Sequence, residues 1–171
     1  MADVLTGPFA VAAIVVAVAG ISKLRVPAVA TAALYELGLP SASPIARLLG
    51  VGEVALGAWC LIAPGVFAAA ALGCCYLAFA LTALALARRR AACGCFGGHQ
   101  QPASLGHSAI SGALAAVCVV GAVAGPHDAG WVLSRPAGQA AVLALGIAGC
   151  AYATVLAYTQ LPAAWGAWSA Q

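Results

Sequence analysis

The segment that decides the fold is VFAAAALGCCYLAFALTALALA, residues 66–87. It contains no charged side chain, and it is bounded by Gly65 on one side and by Arg88 on the other. An α-helix needs about 20 apolar residues to cross about 30 Å of hydrocarbon, so a stretch of this length and composition predicts a membrane-spanning helix.

The composition of the whole chain extends this prediction beyond one helix. Of the 171 residues, 64% are hydrophobic and only 6% are charged, whereas roughly 25% of a water-soluble domain is charged. Most of the surface must therefore face lipid, and the predicted fold class is an all-α integral membrane protein. A nucleic-acid partner is not expected, because only Arg88, Arg89 and Arg90 adjoin one another and the sequence shows no basic stripe.

Apolar intervals of spanning length recur along the chain, and they predict a bundle of four to five transmembrane helices. The segment from Pro27 to Gly38 is too short to cross, and Pro27 suits a first helical turn, so an interfacial or re-entrant helix is expected after the first span. Pro162 is expected to end the last span. No repeat or linker divides the chain, so residues 1–171 are interpreted as one domain. The spans are expected near residues 5–22, 44–63, 66–87, 106–125 and 137–161.

Basic side chains are distributed unevenly between the two sides of this bundle. Lys23, Arg25 and Arg47 flank the first loop and the three adjacent arginines flank the third, whereas the opposite side holds only Arg135. Because cytoplasmic loops carry the excess of Lys and Arg, the first and third loops and the carboxy terminus are predicted to be cytoplasmic. The amino terminus, with Asp3 as its only early charge, is expected to be retained as the first span. The expected location is a plasma (inner) membrane, crossed several times.

The most specific chemical feature is the pair of cysteines in Cys93-Gly94-Cys95, directly after the arginines. Two cysteines one residue apart can close a small, strained disulfide, and a glycine between them accepts unusual backbone angles. Strained and exposed disulfides exchange readily. The arginines and the amino end of the next helix would favour the reactive thiolate form. The motif therefore predicts a thiol–disulfide exchange site.

A metal site is the alternative interpretation of the same loop. Cys93, Cys95, His99 and His107 supply two sulfurs and two imidazoles, a set that could hold zinc or a cuprous ion. The Cys-x-Cys spacing is shorter than the usual spacing in zinc sites. His107 taken alone is better interpreted as a polar residue at a helix start.

Glu53 lies near the middle of the second span, where an ionised carboxylate is costly. Such a residue usually faces the bundle interior, is protonated or paired, and marks a proton path or a ligand site. Gly50, Gly52 and Gly57 surround it and would let another helix approach closely. We therefore expect a packed, functional interior face around Glu53.

The other five cysteines are expected chiefly to pack within the bundle, because a buried cysteine behaves as a small hydrophobic side chain. Cys60, Cys74 and Cys75 leave open a second redox station, which an electron relay across the bilayer would need.

Three stretches, AGISKLR (19–25), LLGVGEVALG (48–57) and CGCFG (93–97), resemble the MauE family of methylamine-utilisation membrane proteins, which is related to the DoxX family. The resemblance covers most of the chain, through the first four spans. It implies a polytopic membrane protein that acts in thiol redox handling, often beside a thioredoxin-like partner. In the type pathway, such a protein serves the maturation of a disulfide-rich periplasmic dehydrogenase. DoxX-like relatives add a link to the quinone pool.

Together these features predict a membrane-embedded thiol–disulfide redox protein in which Cys93 and Cys95 cycle between dithiol and disulfide. A thioredoxin-like protein would exchange electrons with them, in support of the maturation of a partner protein. Glu53 would supply a proton or help seat a quinone, and Lys23 would pair with an acidic or anionic group at the cytoplasmic rim. The alternative is a metal-handling or assembly-scaffold membrane protein with Cys93, Cys95 and His99 as soft ligands.

Overall fold

A computed structural model describes residues 2–92, 94 and 103–169, and from residue 161 onward it describes the helical backbone only. The described residues form seven α-helices. These are α1 (Ala2–Arg25), α2 (Pro27–Glu36), α3 (Ser43–Ile62), α4 (Val66–Arg89), α5 (Leu105–Ala124), α6 (Ala129–Leu133) and α7 (Ala137–Ser169).

Five of these helices, α1, α3, α4, α5 and α7, are long and apolar enough to cross a membrane. They confirm the predicted all-α membrane bundle. The ten-residue helix α2 follows the first span, as expected for the segment that is too short to cross. The five-residue helix α6 lies in a segment for which the sequence indicated no helix.

The first helix, α1, is the centre of the bundle. Inside the bundle, 56% of its span is buried, against 6% for the span of α7 at the periphery. A core cluster that includes Phe9, Val16, Leu72 and Cys118 fills the space between α1, α4 and α5. Within this cluster the Tyr76 hydroxyl donates a 2.6 Å hydrogen bond to the Ala12 carbonyl oxygen. The bond holds α4 to α1 and satisfies a phenol that is fully buried.

Helices α1 and α3 run antiparallel and touch backbone to backbone at glycines. A Cβ atom built on Gly57 would lie 2.5 Å from the Ala13 carbonyl oxygen, and one built on Gly50 would lie 2.8 Å from the carbonyl oxygen of Gly20. Lipid tails are as apolar as leucine, so membrane helices associate through such close packing rather than through hydrophobic burial. The expectation that glycines near Glu53 admit a second helix is correct for Gly50 and Gly57. Gly52 has open space around it.

Two predicted helix ends differ from the structure. Helix α1 continues through Lys23 and Arg25, three residues past the expected span end near residue 22. The long side chain of the exposed Arg25 tolerates a position at a helix end near the interface. The last helix does not stop at Pro162, since α7 continues to Ser169, although its apolar span covers Ala137–Gln160. A proline removes one hydrogen bond from a membrane helix, and a neighbouring helix can supply the missing donor.

Replacement of Gly57 by alanine tests the glycine contact between α1 and α3. Gly57→Ala should lower the free energy of unfolding by about 1–3 kcal/mol, because the added methyl overlaps the backbone of α1. Gly52→Ala, in the same helix and facing open space, should be neutral or stabilising by up to about 1 kcal/mol, because alanine is the better helix former. Thermal unfolding in detergent, followed by circular dichroism, measures both, and equal effects would contradict the contact.

Candidate functional site

The two buried charges of opposite sign in the described residues meet in one ion pair. Lys23 Nζ on α1 donates to Glu53 Oε2 on α3 at 2.7 Å, and the two residues are only 7% and 8% exposed. A buried charge in a membrane span is costly unless it is paired, so the two neutralise each other where neither could remain alone. The sequence predicted an acidic or anionic partner for Lys23 at the cytoplasmic rim, but it did not identify Glu53 as that partner.

The helix contact explains why these two side chains meet. Gly20 precedes Lys23 by three residues and Gly50 precedes Glu53 by three, so each charge lies on the helix face that the glycines bring together. Helical side chains lean toward the amino end of their own helix. Because α1 and α3 are antiparallel, that rule makes the two side chains lean toward each other.

An aromatic ring from a third helix completes the environment of the lysine. The ring centroid of Phe79 on α4 lies 5.2 Å from Lys23 Nζ. This is within the range of a cation–π contact, which stabilises an ammonium group that has left water. Three helices therefore hold the charge in place.

A cavity of about 190 Å³ opens beside the ion pair, between α1, α2, α3 and α4. Its polar wall consists of Lys23, Glu53 and Thr82, and Gly94 also lines it. The rest of the wall is apolar and consists of Ala30, Ala33, Leu34, Leu37, Leu39, Leu49, Ala78 and Phe79. Such a wall suits a small, mostly apolar molecule with one or two polar atoms.

Gly94, the residue between the two cysteines of the motif, is packed against α2. Its φ of +68° is a left-handed conformation that favours glycine. A Cβ atom built there would lie 2.9 Å from Ala33 Cβ and 3.0 Å from the carbonyl oxygen of Val29. A glycine is therefore required here both by the backbone angle and by the close approach of α2.

The ends of the cysteine-bearing segment are joined at its base. The amide of Ala103 donates a 2.8 Å hydrogen bond to the Ala91 carbonyl oxygen, so the chain leaves and returns at adjacent points. Cys93, Cys95 and His99 lie outside the described residues.

Residues 2–125 match the model of a family described as methylamine utilisation protein MauE. The chain belongs to the MauE family. The match confirms the resemblance that the sequence motifs indicated, and it includes Lys23, Glu53 and the segment from residue 93 to residue 97. Helices α6 and α7 lie beyond it. No curated protein and no solved structure matches the chain significantly.

His107 of this MauE-family chain caps a helix. Its Nδ1 atom lies 3.1 Å from the amide nitrogen of Ser104, which donates to it, and 2.9 Å from Ser104 Oγ. This agrees with the interpretation of His107 as a polar residue at a helix start. Within the ranges that the structure describes, no three His, Cys, Asp or Glu side chains are grouped so as to hold a metal ion.

The cysteines of the membrane spans divide by burial. Cys60 and Cys118 are buried in the core cluster around Tyr76 and act there as small apolar side chains. Cys74 and Cys150 are exposed on the outer surface of the bundle, where lipid would surround them.

Removal of one partner from the ion pair should be worse than removal of both. Lys23→Met or Glu53→Gln alone should each lower the free energy of unfolding by about 3 kcal/mol, because each leaves a buried polar group without its counter-charge. The double variant should be more stable than either single variant. Arg25→Met and Glu36→Gln, which alter exposed charges, are the matched controls. Strict additivity of the two single effects, measured by thermal unfolding in detergent, would refute the pair.

The contact between Gly94 and α2 predicts a difference between two glycines of similar backbone angle. Gly38 has a φ of +72° and nothing within 4 Å of a built Cβ, so Gly38→Ala should cost only the strain of a left-handed residue, about 1–2 kcal/mol. Gly94→Ala adds the overlap with Ala33 and Val29 and should destabilise the protein more. Chemical unfolding of the two variants makes the comparison, and equal losses would show that the overlap is relieved at no cost.

Proposed function

We propose that this protein is a membrane thiol–disulfide redox protein whose reactive groups are Cys93 and Cys95. The observation that carries the proposal is the position of Gly94. The residue between the two cysteines lines the same cavity as the buried Lys23–Glu53 pair. Cys93 and Cys95 are thus bonded directly to a residue that lines the cavity, and Glu53, a buried group that can bind a proton, lines the same cavity.

The exchange itself needs no group beyond the two cysteines and a partner disulfide. The thiolate of one cysteine attacks the partner disulfide, a mixed disulfide forms, and one partner thiolate leaves. The second cysteine then attacks the mixed disulfide, so that Cys93 and Cys95 become joined and the partner is released as a dithiol. Two electrons and two protons pass from the protein to the partner, and the reverse sequence reduces Cys93 and Cys95.

The Lys23–Glu53 pair supports the proton part of this chemistry. Each cysteine must lose its proton before it attacks, and a carboxylate in a largely apolar cavity is a suitable acceptor. In the proposed mechanism Glu53 accepts one proton from a cysteine and holds it during the exchange. Protonated Glu53 leaves Lys23 without its counter-charge, so Glu53 releases the proton again when the exchange is complete.

The cavity also fits the ring of a quinone, which relatives of the DoxX type suggest as an electron carrier. An apolar cavity of roughly 150 Å³ is enough to hold benzene, and this one measures about 190 Å³ with Lys23, Glu53 and Thr82 available to oxygen atoms on a ring. A bound quinone would accept the two electrons and two protons of the dithiol. Lys23 would orient the ring by donating to one of its oxygens, and the apolar wall would exclude water.

The expected partner is a thioredoxin-like protein, and the expected setting is the inner membrane. Arg88, Arg89 and Arg90 lie at the end of α4, directly before the cysteine segment. By the distribution of basic residues we propose that this end of the bundle faces the cytoplasm. The exchange would support the maturation of a disulfide-containing partner protein.

Replacement of the two cysteines tests the proposal in cells. Cys93→Ser and Cys95→Ser should each change the redox state of a thioredoxin-like partner or of its client, measured by trapping thiols with maleimide and resolving the products on a gel. Each should be as severe as the double variant, because one thiol cannot complete the exchange. Cys74→Ser, at an exposed position of α4, is the control and should have no effect. Unchanged redox states of every candidate partner in both variants would refute the proposed function.

A further inference from the structure

Pro162 leaves a gap in the hydrogen bonding of α7. In an α-helix the carbonyl of residue 158 accepts from the amide of residue 162. Residue 162 is proline and has no amide hydrogen, yet the helix continues to Ser169. A carbonyl buried in a membrane protein needs another donor.

His107 on α5 lies where that donor is required. The backbone of Tyr158 lies within hydrogen-bonding reach of the His107 ring, and the His107 and Tyr158 rings are 6.0 Å apart between centroids. The two residues are 5% and 4% exposed. One helical turn farther along α5, Ser111 Oγ lies 2.8 Å from the Tyr158 hydroxyl, which holds the same two helices together.

The tautomer of His107 follows from its other contact. Nδ1 faces the amide of Ser104, which can only donate, so Nδ1 must be the bare nitrogen of a neutral imidazole. The ring hydrogen is therefore on Nε2, and the group that meets the Tyr158 backbone is a donor. One imidazole thus accepts from the start of α5 and donates to α7.

We propose that His107 is a positioning residue that donates to the Tyr158 carbonyl the hydrogen bond that Pro162 cannot give. It thereby connects the end of the cysteine segment, at Ala103 and Ser104, to α7. Ser104, which His107 caps, follows Ala103, whose amide closes the base of that segment. Helix α7 lies outside the family match and is the least buried span, and His107 connects it to the base of the cysteine segment. The effect of this connection on redox chemistry rests on the proposed function. The hydrogen bond between His107 and the Tyr158 carbonyl does not depend on it.

A double-mutant cycle between His107 and Pro162 tests this hydrogen bond directly. His107→Leu should lower the melting temperature in detergent by about 3–6 °C, because the Tyr158 carbonyl and the Ser104 amide each lose a partner. Pro162→Ala restores an amide to α7, so His107→Leu should cost clearly less in that background. His107→Gln should recover most of the loss, because glutamine can both accept from the cap and donate to the carbonyl. Tyr158→Phe, which removes only the hydroxyl, is the matched control and should leave the coupling unchanged. Equal losses from His107→Leu in both backgrounds would overturn the inference.

Labelling of the fully reduced protein tests the positioning. The rate at which maleimide reacts with Cys93 and Cys95, resolved by peptide mass spectrometry, should rise about threefold or more in His107→Leu and stay at the wild-type value in His107→Gln. Identical rates in all three proteins would overturn the positioning role. The measurement needs no turnover, so it remains decisive even if serine variants of the two cysteines show that the redox function is wrong.

Discussion

A lysine and a glutamate hydrogen-bonded to each other between two membrane helices are the contact on which the site depends. Neither charge is stable alone in hydrocarbon, so Lys23 and Glu53 require α1 and α3 to lie within reach of each other. Gly20 and Gly50 permit that approach because the backbones touch where other residues would place side chains. The cavity then forms in the space that α2 and α4 leave beside the pair.

The interior of the bundle combines small residues with a few buried polar groups, each of which has a partner in the part of the chain that the structure describes. Tyr76 bonds to a carbonyl of α1, Ser111 to Tyr158, and His107 to the backbone of two segments. In a membrane these bonds are individually modest, about 0.6 kcal/mol on average. These bonds contribute mainly to the specificity of helix packing, because a hydrogen bond is directional and each one permits a single arrangement of the helices that it joins. A site between three helices needs that specificity more than it needs additional stability.

Much of the fold could be predicted from the sequence, because hydrocarbon thickness sets the length of a span and charge marks its ends. The five spans, the short helix at Pro27 and the interior position of Glu53 follow from those rules. The pairing of Lys23 with Glu53 was missed because a lysine near the end of a span is usually expected to reach toward water. The continuation of α7 through Pro162 was missed because the compensating donor is on another helix, 55 positions earlier in the chain. Both misses are long-range contacts that local patterns do not carry.

The ion pair also constrains the order in which the protein can be assembled during its synthesis. Lys23 leaves the ribosome long before Glu53 does, so α1 first enters the bilayer with an ammonium group that has no counter-charge. An ionised side chain near the centre of a span costs about 3 kcal/mol on insertion scales, but Lys23 is in the last turn of α1 and its side chain can extend to the headgroups. Glu53 is in the middle of α3, and its side chain cannot reach the headgroups. Helix α3 therefore enters the membrane most easily alongside an α1 that is already in place, because Lys23 then supplies the counter-charge for Glu53.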